Sequence, residues 1–223
     1  TYFCAPIFVF LAGTSAYLSS QRHNDLAAAR RFLIRRGLWL VFLEFTLINF
    51  AIWFDPHFRT FLFQVIAAIG CGLLVLALLL RCSVRTIGLL GALIIAGHNL
   101  LPLLPLSNGS LLKLIMQPFF AVSAYPLTPQ VTLVMGYPPI PWLGILLVGY
   151  AAGKLFERPA AEQQRLLVKL GAGALALFVV LRFSNFYGDP AKWTVQRTAI
   201  QQQLQALSLH DITQTATIFY LDI

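Results

Sequence analysis

The chain has 223 residues, 58% of them hydrophobic and only 11% charged, a balance that excludes a soluble domain with a single anchor and describes one membrane domain over residues 1–223. In a soluble protein a formal net charge of +8 would point to nucleic acid. Here the basic residues gather at the ends of apolar runs, where topology and anionic lipid account for them, so the expected partner is the lipid bilayer and not nucleic acid.

Six apolar runs predict an all-α polytopic transmembrane helix bundle: Phe3–Ser20, Gly37–Phe54, Phe61–Leu80, Thr86–Pro105, Ile140–Glu157 and Leu166–Phe183. At about 1.5 Å rise per residue, each is long enough to cross an apolar core of about 30 Å. After the first run, Asn24 and Asp25 can cap an amphipathic helix, Leu26–Arg36, that rests on the bilayer surface and runs into the second span. Asp55-Pro56-His57 reads as a tight turn, since Pro cannot continue a helix. Gly70, Gly72, Gly144, Gly149 and Gly153 are small residues that let helices approach closely. Residues 106–139 form a long extracytoplasmic loop with a short helix, Leu111–Gln117, ended before Pro118, and a loop of this length is expected to cover a cavity. Residues 184–223 form an extracytoplasmic tail. Cys4, Cys71 and Cys82 fit neither a disulfide framework nor metal spacing, and no metal is expected.

Alternating the spans places Gln21–Arg36, Arg81–Arg85 and the zone from Lys154 to Lys169 on one face. Eleven of the sixteen Lys and Arg residues lie there, and the other face holds only Arg59, Lys113, Arg182, Lys192 and Arg197. By the positive-inside rule the first face is cytoplasmic and both ends of the chain lie outside. The first run lacks a basic leader and cleavage site and the chain does not begin with Met, so an interior portion of a longer protein is expected.

Glu44 and His98 are the ionisable residues well inside spans. A charged group there costs roughly 2.5 to 3.5 kcal/mol on insertion scales, so both should face the bundle interior. His98, with Asn99 beside it, lies in the outer half of the fourth span; Glu44 lies in the inner half of the second. Each has a structural reading beside a catalytic one: His98 as a neutral interhelical hydrogen-bonding group, Glu44 as a carboxylate holding helices together with Arg36 or another arginine. Asn49 and Gln64 read as interhelical glue.

Ordered segments along the chain carry a family resemblance. They are Phe3-Cys4-Ala5-Pro6 continuing to Gly13-Thr14, Arg36-Gly37-Leu38-Trp39 with Glu44 and Asn49, Gln64-Val65-Ile66, Gly97-His98-Asn99, Tyr137-Pro138-Pro139-Ile140-Pro141-Trp142 and Asn185-Phe186-Tyr187-Gly188-Asp189-Pro190. Together they resemble the bacterial branch of the heparan-alpha-glucosaminide N-acetyltransferase-like membrane proteins over residues 1 to about 200. The resemblance implies an integral acyltransferase of the bacterial inner membrane. It would move an acetyl group from acetyl-CoA, a cytoplasmic cosubstrate, to an amino sugar or other glycan outside. On that reading His98, Asn99 and Glu44 are the catalytic candidates, Asn185, Tyr187, Asp189 and Tyr2 bind the acceptor, and Arg30, Arg31, Arg35 and Arg36 meet the coenzyme A phosphates. In relatives the usual catalytic histidine lies upstream of Cys-Ala-Pro, and Tyr2 stands where they often have His. A permease-like protein and a noncatalytic fragment are the competing readings, although no inverted repeat supports the first. Homo-oligomerisation is left open.

Overall fold

The computed structural model describes residues 4–23, 25–98, 111–120 and 122–184. The elements are α1 (Cys4–Ser20), α2 (Leu26–Leu43), a π turn (Glu44–Ile48), α3 (Asn49–Trp53), β1 (Thr60–Phe63), α4 (Val65–Leu79), α5 (Val84–Gly97), α6 (Leu111–Phe120), β2 (Ser123–Thr128), β3 (Val131–Met135), α7 (Pro139–Gly153), a 3₁₀ turn (Lys154–Glu157) and α8 (Ala160–Ser184). The chain divides into two compact units, Thr1–Leu170 and Gly171–Ile223; the described part of the second is the rest of α8.

Three helical stretches are long and apolar enough to cross a membrane: Leu26–Trp53, Pro139–Glu157 and Ala160–Ser184. Three shorter apolar helices accompany them, Cys4–Ser20, Val65–Leu79 and Val84–Gly97. Large apolar side chains such as Leu38, Trp39, Phe42, Leu89 and Leu93 lie exposed on these helices, a surface that suits lipid rather than water. The protein is an integral membrane helix bundle.

Within the first unit α7 packs along α1, α5 and α4, while α2 packs along α4. Glycines set these pairs. A Cβ on Gly149 would collide with the Phe10 carbonyl oxygen, and one on Gly13 with the carbonyl of Leu146. Gly37 and Gly70 face each other's carbonyl oxygens in the same way, at 2.7 and 2.8 Å. Thr14 Oγ1 donates to the Gly149 carbonyl at 2.9 Å and holds the first seam. Val9, Leu76, Leu146 and Leu147 fill the core between the seams.

The expected surface helix and second span are one continuous helical run, begun by Asp25, whose side chain accepts the Ala28 N–H. The expected third span starts as strand β1, becoming helical only at Val65. β1 pairs in parallel with β3, which pairs antiparallel with β2, giving the order β1-β3-β2. The long connection therefore carries two strands besides its expected helix. Its helix also continues to Phe120, through Pro118. That proline offers no N–H to the carbonyl four residues before it, so the helix lacks one bond there and ends two residues later.

Candidate functional site

Glu44 has no exposed surface, and its Oε2 accepts the Ala67 N–H at 3.1 Å. Ala67 lies in the first turn of α4, whose N–H groups have no partner within their own helix and carry the positive end of its dipole. Glu44 is thus a cap supplied from another helix. Its partner is backbone, not the arginine expected from the sequence. The residue stands beside β1 and the start of α4. Glu44 Oε1 is buried with no hydrogen-bond partner.

Asn49 is as deeply buried and faces the same junction. Its Oδ1 accepts the Leu62 N–H at 2.6 Å, and its Nδ2 donates to the Leu62 carbonyl at 3.0 Å and to the Glu44 carbonyl at 2.6 Å. The amide thereby satisfies both backbone groups of one residue of β1, as a neighbouring strand would. In an ideal α-helix, residues five apart point about 140° away from one another. The π turn between Glu44 and Asn49 takes up that angle, and its i→i+5 hydrogen bond runs from the Asn49 N–H to the Glu44 carbonyl. Phe63, Ala67, Ala68 and Met135 form a small core beside this pair, flanked by Phe45, Tyr125 and Trp142. The Tyr137 and Trp142 rings stand 4.8 Å apart there, and Tyr125 Oη is buried without a hydrogen-bond partner.

His98 caps the C-terminus of α5 and is half-buried. Its Nδ1 lies 2.7 Å from the Ile95 carbonyl oxygen. A carbonyl only accepts, so in the neutral imidazole that nitrogen carries the proton and Nε2 keeps its lone pair. Ile94 and Ile95 pack against Gly144 near the start of α7, which brings His98 to the same end of the unit as Glu44 and Asn49. Among the described residues no hydrogen bond joins His98 to Glu44. The other expected outer groups, Asn99, Asn185, Tyr187, Asp189 and Tyr2, lie outside the described residues.

The four arginines of α2 do not share one environment. Arg31 and Arg35 are exposed, one turn apart. Arg30 is half-buried, with its Nε buried and unpartnered. Arg36 places its guanidinium 5.8 Å from the Phe32 ring centre and lines a crevice of about 360 Å³ between α1 and α2, floored by Ile69 and Leu73 of α4. At this end Tyr17 Oη donates to Glu157 Oε1, and the Tyr17 and Tyr150 rings meet edge to face at 5.2 Å. No local pattern in the sequence links residues so far apart. Among the described residues no group of three or more His, Cys, Asp or Glu side chains is placed to hold a metal.

A family model described as heparan-alpha-glucosaminide N-acetyltransferase, catalytic, matches residues 1–182. No curated protein and no solved structure matches the chain.

Proposed function

The chain belongs to the heparan-alpha-glucosaminide N-acetyltransferase catalytic family, and from that premise we propose that it carries acetyl groups from cytoplasmic acetyl-CoA to an amino sugar or other glycan outside the membrane. The membrane acetyltransferase character follows from family membership; donor, acceptor and sidedness are our reading. The match over residues 1–182 carries it, because that span contains His98, Glu44, Asn49 and all four arginines of α2. In this reading the six apolar helices all cross the membrane, the bacterial inner membrane, with the arginine-rich end of α2 in the cytoplasm.

Transfer to an amine forms a C–N bond at the thioester carbonyl carbon and breaks the C–S bond. The acceptor nitrogen loses a proton and the departing coenzyme A thiolate gains one. His98 Nε2, unprotonated in the tautomer that Ile95 fixes, takes the proton from the acceptor, and Asn99 beside it donates toward the carbonyl oxygen. Glu44 has no exposed surface from which to reach substrate. We therefore give it a positioning role: with Asn49 it holds β1 and the first turn of α4 in place around the outer chamber. Arg31 and Arg35, exposed on successive turns, meet the coenzyme A phosphates, and Arg30 lies beside them. Tyr2, Asn185, Tyr187 and Asp189 remain our candidates for the acceptor side.

The test follows radiolabelled acetyl groups from acetyl-CoA to glycan in membranes holding the complete protein, normalised to protein that is monodisperse in detergent. Loss of a general base costs about 10²- to 10⁴-fold, so His98→Ala should lower turnover at least a hundredfold while leaving folded yield near normal. Unchanged turnover per folded molecule would make His98 a purely structural group.

A further inference from the structure

The glycine seams have a by-product. Gly13 and Gly149 draw α1 onto α7, and Gly37 and Gly70 draw α2 onto α4, so that α1 and α2, consecutive in the chain, stand apart and leave the crevice between them. We propose that this crevice binds one acyl chain of an anionic phospholipid, with the lipid phosphate on Arg36. Charge and chemistry select that occupant. The crevice runs along α1 from Phe8 to Ala16, on the order of 12 Å at 1.5 Å per residue. Of the side chains that line it, only Ser15 and Arg36 are polar. A coenzyme A arm would bring amides whose hydrogen bonds the wall cannot satisfy, at a cost of about 1–3 kcal/mol for each one stranded. A hydrocarbon chain brings none. Phe8 and Leu11 at the deep end are 60% and 51% exposed, as a surface that meets lipid should be. Arg36 sits where the arginine-bearing first turns of α2 give way to Gly37-Leu38-Trp39 and the apolar run beyond, the depth at which a phosphate meets its chain. Its guanidinium, exposed and stacked on Phe32, has no carboxylate partner among the described residues.

The experiment uses the complete protein in nanodiscs of phosphatidylcholine doped with phosphatidylglycerol that carries a photoactivatable group on one chain. Crosslinks are mapped by peptide mass spectrometry. We expect adducts concentrated on residues 8–16 and 33–40, reduced about tenfold in Ala12→Phe or Leu40→Trp, which narrow the crevice. Arg36→Gln should lower the preference for phosphatidylglycerol over an equally labelled phosphatidylcholine about fivefold. Adducts spread evenly over all the exposed apolar helices, indifferent to Ala12→Phe and Leu40→Trp, would overturn the proposal. So would displacement of the labelled lipid by saturating coenzyme A, which would give the crevice to the acetyl donor. Neither outcome touches the acetyl-transfer assay, so the failure of this site and the failure of the proposed activity are read separately.

Discussion

Asn49 carries more of the junction between the π turn and β1 than any charged residue does. Replacing it by Ala strands both the N–H and the carbonyl of Leu62, and each stranded buried backbone group costs about 1–3 kcal/mol. Asn49→Ala should therefore lower the thermal unfolding midpoint in detergent well beyond a surface substitution. Asn49→Asp, which sets a buried carboxylate oxygen against the Leu62 and Glu44 carbonyls, should lower it at least as far; an unchanged midpoint in both would remove the clasp. Asp55 organises the adjoining turn. Its carboxylate accepts the His57 N–H at 2.9 Å and the Arg59 N–H at 3.2 Å. The His57 amide, foremost, holds this carboxyl below the usual carboxylate range. A group more acidic when folded adds stability that is complete above its unfolded pKa and is lost as pH falls through the folded one. Amide exchange at His57 and Arg59, corrected for intrinsic rates, should thus accelerate below about pH 4, and Asp55→Asn should abolish that pH dependence.

Among the elements, α7 is the one around which the first unit is built, and its glycines fix how closely others approach. A side chain at Gly149 meets backbone, the Phe10 carbonyl, which cannot move aside as a flexible side chain can. Gly149→Leu should cost about 3 kcal/mol or more and sharply lower the yield of monodisperse protein, with little change in turnover per surviving molecule. Gly97→Ala is the control, because a Cβ there finds no described atom within 4 Å. The π turn is the other element that matters. It turns Glu44 and Asn49 toward one junction, where an uninterrupted α-helix would have sent them to different neighbours.

For the whole molecule, sidedness is the consequential property, since the proposed reaction joins a cytoplasmic donor to an acceptor outside. Single cysteines introduced at Ala28 and Ala160, with Cys4, Cys71 and Cys82 replaced, should stay unlabelled by an impermeant maleimide in sealed cells and react once the membrane is permeabilised. Labelling of both in sealed cells would invert the topology. Apolar run length made membrane insertion legible in the sequence, because bilayer thickness acts on composition directly. Close packing at Gly144, Gly149 and Gly153 was legible for the same reason: a missing side chain is written in the residue itself. The sheet was not. A short apolar run such as Thr60–Phe63 is ambiguous between strand and helix, and its pairing with Val131–Met135 joins segments some seventy residues apart. Nor was the partner of Glu44, for a carboxylate announces that it needs a donor without saying which one. That choice fell to the Ala67 amide because tertiary packing set the start of α4 against a widened turn, and hydrogen bonds are decided by where atoms finally lie rather than by spacing along the chain.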